Sequence, residues 1–254
     1  MRLSRPVSLS VAPSSAAPST ALPLLSPTTV ALALYVLSLL LLPPGGGPDT
    51  PGATDRDTVS TSLERLSTVP RRTHVLGYSR DHFGGWADQW WAEGTGTVST
   101  ESGSGPAGTR CSTRHIVMLQ TFESRSPGDD GSCPSPRGRI TDVYTGDMIA
   151  PSDVEIDHVV PLSAAWDHGA WDWPRESRVR FANDDELNLL AVAGTVNRDK
   201  SDGSLAEWLP PTAKAGSLSE AGCAYAARYL AVCLRYGLSV SDADATTARQ
   251  VCGL

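Results

Sequence analysis

The chain has 254 residues, and its 28 acids outnumber its 21 Lys and Arg for a formal net charge of −7. That balance excludes nucleic-acid binding driven by bulk charge. The length allows one sizeable core or two small ones, and five cysteines with no C-x-x-C pair exclude zinc-finger spacing.

Residues 6–28 are mostly Ser, Pro, Ala and Thr, and residues 43–58 read PPGGGPDTPGATDRDT. Neither tract has apolar periodicity, so neither is expected to fold. Between them Val30–Leu42 is apolar apart from Ser38. It falls short of the ~20 residues that span a bilayer but suits the apolar region of a signal peptide. Arg2 and Arg5 precede it, and the first charges after it are Asp49 and Asp55. Residues 1–58 are therefore read as a signal or membrane anchor plus linker, the chain's one expected link to a membrane. No clean cleavage site chooses between signal and anchor. The folded domain is expected over residues 59–254. In an oxidising compartment two disulfides and one spare thiol follow from five cysteines. Cys111–Cys133 would close a loop and Cys223–Cys252 would pin the C-terminus, although the sequence does not fix the pairing. Cys233, in an apolar run, reads as a small packed hydrophobe.

Val59–Leu66 fits either a strand or a helical turn. Trp86, Trp90 and Trp91 read as core, and residues 93–109, rich in Gly, Ser and Thr, as a loop. Cys111–Thr121 fits a helix or a strand, with helix preferred. The following Ser124–Arg139 reads as a long Pro/Gly loop tied down by Cys133. Residues 110–139 carry five arginines against three acids, a surplus that ordinary surface explains. Ile140–Tyr144 and Val154–Val160 read as strands, the second stopped by Pro161. Pro174–Phe181 reads as a short helix with Pro in its first turn. Leu187–Val192 is a buried strand or helix entry, and Thr195–Asp202 a helix. Ser219–Tyr236 has Ser219 as N-cap and Gly237 as terminator, and Ser241 caps a last helix to Val251. Trp171, Trp173 and Trp208 are expected in the core, and His168 in a loop. The fold class is α+β, a single mixed domain with C-terminal helices.

The chemistry concentrates between Val154 and Asp202. Phosphodiester cleavage needs a base to activate water, an electrophile for the phosphate charge and help for the leaving oxygen. A hard divalent cation supplies the last two and prefers oxygen ligands. Asp157 and Asn197 offer such oxygens, and His158 is a base with an ordinary pKa near 6.5. Neighbours on a regular strand face opposite ways, so Asp157 and His158 can share a site only where the strand ends or distorts. Asn188 is placed to orient the imidazole or the loop that carries it. Arg198 and Lys200 lie one turn from Asn197, where a cation can meet phosphate. Arg178 and Arg180 flank Val179, one of them a candidate phosphate contact.

Asp157-His158-Val-Val-Pro161, Asn188 and Asn197-Arg-Asp-Lys-Ser-Asp202 resemble the HNH, or ββα-metal, nucleases. They are especially similar to the HNH module of RNA-guided CRISPR effectors. Over about residues 78–252 the chain more closely resembles exported HNH endonucleases that share a domain with the C-terminal part of the GmrSD restriction enzymes. The motifs are Asp157-His158-Val-Val-Pro-Leu-Ser163, Gly169-Ala170-Trp171, Arg180-Phe-Ala-Asn-Asp184, Asn188-Leu-Leu-Ala-Val192 and Trp208-Leu-Pro-Pro211. His168 departs from the small polar residue usual there.

The resemblance implies a ββα-metal core in which Asp157 and Asn197 ligate one ion, His158 is the general base and Asn188 positions it. Arg180, Arg198 and Lys200 would bind substrate. Asn in place of the third motif histidine favours Mg²⁺ or Mn²⁺ over Zn²⁺. The implied partner is nucleic acid, DNA by expectation, and no protein partner is evident. The rival reading is a catalytically silent exported module that binds nucleic acid or serves a structural role.

Overall fold

The first described helix begins inside the tract expected to be unstructured. In the computed structural model residues 51–91, 109–129, 132–213 and 218–254 are described. The expected signal or anchor segment and most of the loop at 93–109 lie outside them. Helix α1 spans Pro51–Arg65, starting at Pro51 rather than near Val59. Proline is tolerated in a first helical turn, where its missing N–H has no partner to lose. Val59, Ser62 and Leu66 are buried along one face, which packs on the C-terminal helices. Tertiary packing, more than local propensity, therefore makes this helix. Among the described residues no helix is long and apolar enough to cross a membrane.

The fold is mixed α+β, with residues 48–254 forming one unit. Helix α6 (Glu220–Tyr236; helix numbers follow chain order) starts where Ser219 accepts from the Gly222 N–H, and ends at Gly237, whose φ of 66° suits glycine. Helix α7 (Asp242–Cys252) starts with a reciprocal cap between Ser241 and Asp244. The disulfide Cys223–Cys252 joins the two, and Cys233 is a free buried thiol.

Strands among the described residues occur in five pairs. Strand β1 (Thr68–Val69) runs parallel to β10 (Val240–Ser241). Strand β2 (Asp88–Trp91) pairs antiparallel with β3 (Thr109–Ser112), which runs directly into helix α2 (Thr113–Thr121). The stretch read as a Pro/Gly loop instead contains the antiparallel pair β4 (Ser124–Ser126) and β5 (Ser135–Arg137). Its strands are too short and polar to show a period, and Cys111–Cys133 ties the neighbouring chain to β3. Strands β6 (Ile140–Thr141) and β7 (Met148–Ile149) form a further small hairpin.

The pair that positions the site is β8 (Val154–His158) with β9 (Leu189–Ala193), antiparallel from Val154↔Ala193 to His158↔Leu189. Between them the chain makes helix α3 (Leu162–Asp167), a 3-10 turn at Ala170–Asp172 and helix α4 (Arg175–Ala182). Helix α5 (Gly194–Lys200) follows β9 with no loop. It ends at Ser201, whose φ of 52° is unusual for a residue with a Cβ. Leu189, Ala191, Val192 and Val196 are buried beneath this unit. Trp173 and Trp208 pack against the core as expected, but Trp171 is 50% exposed because the 3-10 turn points it outward.

Candidate active site

A cleft of about 570 Å³ is bordered by Glu155, Ile156, Asp157 and His158, four consecutive residues of β8. This resolves the alternation problem. Among the described residues β8 pairs with β9 alone, and residues that alternate along the strand, together with His158 at its end, all border the cleft. Asn197 and Arg198 close the cleft from α5, and Arg80, Trp86 and Arg114 from earlier parts of the chain.

His158 is 7% exposed, with its ring stacked on Trp86 at 5.7 Å between centroids and 7° between planes. Its Nε2 lies 2.9 Å from the carbonyl oxygen of Ala182 at the end of α4. A carbonyl only accepts, so Nε2 carries the proton and Nδ1 keeps its lone pair. Burial pushes the imidazole down to about 4, opposed by the Ala182 contact and aided by the charges of Arg80 and Lys200. The ring is neutral at neutral pH.

Asn188 is fully buried, and its side-chain hydrogen bonds among the described residues go to backbone groups rather than to the imidazole. Its Oδ1 accepts from the Val160 N–H at 3.0 Å, its Nδ2 donates to the Phe181 carbonyl at 3.2 Å, and its own carbonyl accepts from the Val159 N–H at 2.8 Å. It thus joins the backbone just after His158 to the helix end that holds Nε2. Of the two roles open to it, orienting the loop is the one the geometry serves.

Asp157 is also buried. The Lys200 ammonium donates to both its oxygens at 2.8 Å and to the His158 carbonyl at 2.6 Å. The Tyr144 hydroxyl donates to Oδ2 at 2.7 Å. Burial raises the Asp157 carboxyl and lowers the Lys200 ammonium from their usual ranges, each opposed by the partner's charge. The expectation that Lys200 meets substrate phosphate is corrected here. Lys200 is 2% exposed with its protons spent on protein acceptors, so it serves as the internal counter-ion of Asp157.

Asn197 is partly buried, and its Nδ2 donates to Glu155 Oε2 at 2.9 Å. Arg198 pairs with Glu155 Oε1. Arg180 is exposed on α4 and does not line this cleft, so the cleft does not bring it together with Asp157, His158 and Asn197. Arg178 is tied to the carbonyls of His82 and Trp173. His168 lies in the turn after α3, as expected, and is buried there, with Nδ1 3.2 Å from Ser239 Oγ, and it does not line the cleft. Glu155, Tyr144, Arg80 and Arg114 escape the sequence reading. Only Glu155 carries a signal, two residues before Asp157 and so on the same strand face.

The donor set fits a hard cation. Asp157 presents a carboxylate whose oxygens already accept from Lys200, Tyr144 and the His158 backbone, so a cation there would share the carboxylate with these donors. Asn197 borders the same cleft, and its Oδ1 accepts no hydrogen bond from the described residues. Among the described residues no three His, Cys, Asp or Glu side chains converge as a metal cage. Few protein ligands, all oxygen, suit Mg²⁺ or Mn²⁺, which keep much of their water shell, better than Zn²⁺.

Comparison with known proteins bears on this arrangement. Residues 114–248 match the family model of the GmrSD restriction endonucleases, C-terminal domain. An uncharacterized secreted protein of Arthroderma benhamiae is 34% identical over 215 residues, covering 84% of this chain and 92% of that protein. No solved structure matches. The matched span contains β8, β9, α5 and every residue of the cleft except Tyr78, Arg80 and Trp86, and the chain belongs to the GmrSD restriction endonuclease C-terminal domain family.

Proposed function

We propose that the protein is a metal-dependent endonuclease that hydrolyses phosphodiester bonds, with DNA as substrate. The unit β8, β9 and α5 is read as a ββα-metal core, with acid and base on its first strand and the amide on its helix. One observation carries the reading. An imidazole held through Nε2, its Nδ1 without a hydrogen-bond partner among the described residues, borders the same cleft as Asp157 and Asn197.

In this mechanism His158 Nδ1 takes a proton from water as the water oxygen bonds to phosphorus and one P–O ester bond breaks. The leaving oxygen is protonated from solvent. A bound Mg²⁺ or Mn²⁺, held by Asp157 and Asn197 Oδ1, would neutralise charge on the phosphate. Arg80, Arg114 and Arg198 line the cleft and supply phosphate contacts, which position the backbone without reading sequence. Trp86 shields one face of the imidazole from water. Asn188 and Lys200 hold the base and the acid from behind.

Export accords with the two disulfides and with the description of the Arthroderma relative as secreted, and residues 1–58 are the proposed signal or anchor. The contact of Lys200 with both Asp157 oxygens is the observation that favours the rival, a silent module that binds nucleic acid. Incubation with supercoiled plasmid separates the two. Nicking in Mg²⁺ that EDTA abolishes is expected, whereas plasmid retardation without nicking in Mg²⁺ or Mn²⁺ identifies the silent module.

A further inference from the structure

We infer that Glu155 is a positioning residue that turns the Asn197 amide so that its oxygen, rather than its nitrogen, faces the metal position. The inference rests on the proposed metal-dependent reading of the site. A terminal amide is nearly symmetric in shape, and only its hydrogen-bond partners decide which end points where. A carboxylate only accepts. Glu155 Oε2, 2.9 Å from the amide, therefore selects Nδ2 and leaves Oδ1 for the cleft.

Two further features hold the carboxylate in place. Arg198, the next residue on α5, pairs with Oε1, so one acid is gripped by two consecutive helix residues. Gly194 provides the space. A Cβ there would lie 2.9 Å from Glu155 Oε1 and 3.0 Å from the Arg198 guanidinium. The φ of Gly194 is not in the left-handed region, so an added Cβ would act by shifting the ends of these two side chains rather than by straining the backbone. With Glu155 committed to Asn197 and Arg198, its part in metal binding runs through the amide. Partners behind a ligand that orient it commonly change metal affinity by about 10–100-fold when removed.

The test is Mn²⁺ binding to the full chain, followed by the electron paramagnetic resonance signal of free Mn²⁺, with no turnover involved. Glu155→Ala is expected to raise the Mn²⁺ Kd by at least about tenfold. Gly194→Ala, which keeps every charge but displaces the carboxylate, is expected to act in the same direction. In an Asn197→Asp background, where both ligand oxygens are equivalent and need no orienting partner, Glu155→Ala is expected not to weaken binding. Melting curves confirm that each variant is folded. Wild-type affinity in Glu155→Ala overturns the inference. So does equal weakening by Glu155→Ala with and without the Asn197→Asp change, which would make Glu155 a direct ligand or a general field effect. Unchanged affinity in Gly194→Ala overturns the part given to Gly194. Absence of Mn²⁺ binding by the wild type would overturn the metal-dependent reading itself, which separates that failure from the others.

Discussion

Two acid–cation pairs stand two residues apart on the same strand and the same helix, yet they live in different solvents. Asp157–Lys200 is sealed, with side chains 5% and 0% exposed, whereas Glu155–Arg198 is open, at 38% and 63%. In the sealed pair neither charge tolerates loss of the other, because desolvation is compensated only by mutual attraction and the added hydrogen bonds of Tyr144 and the His158 carbonyl. In the open pair water compensates for either loss. The sealed pair therefore holds the strand end in shape. The open pair is free to act on the cleft at little cost to stability.

Three measurements break or sharpen this contrast. The largest effect is expected for Lys200→Met, which leaves a buried carboxylate without its counter-ion and should cost about 3–5 kcal/mol in urea unfolding. Next is the imidazole beside the sealed pair. Unfolded, His158 titrates near 6.5, and in the fold at about 4. Between those values the unfolded chain binds more protons, so stability falls as pH drops from about 6.5 to about 4 and is level above. His158 contributes at most about 3 kcal/mol to that fall. Buried His168, also lowered, adds a fall of the same sign. A His158→Gln variant should show a shallower pH dependence of melting, and an unchanged slope would contradict the burial argument. The smallest effect is expected for Arg198→Ala, below about 1 kcal/mol. If Lys200→Met costs no more than Arg198→Ala, the contrast between the pairs fails.

The sequence shows the C-terminal helices clearly, since Ser219, Gly237 and Ser241 mark their ends and the apolar spacing marks their faces. It hides α1, because Pro51–Thr58 has no strong propensity and is ordered by a partner helix far along the chain. It also hides β4 and β5, whose three-residue strands are too short for a period to register.

At the site, Asp157, His158 and Asn197 are legible because their chemistry and local spacing coincide, and the cleft brings them together. The sealed role of Lys200 is not, because a lysine on a short helix reads as solvated unless its buried partner is known. Arg80 and Arg114 reach the cleft through long-range packing that no local pattern encodes. Arg180 shows the converse failure. It sits in a family-like motif, yet it is not among the residues that line the cleft.

The central claim is that His158 is the base of a metal-dependent nuclease, and the nicking rate of His158→Ala on supercoiled plasmid in Mg²⁺, beside wild type, tests it most directly. A loss of about 10²–10⁴-fold is expected, measured at a temperature where the variant is folded, because removing a buried, hydrogen-bonded ring also lowers the melting temperature. Nicking within a few-fold of wild type by a folded His158→Ala protein would contradict it.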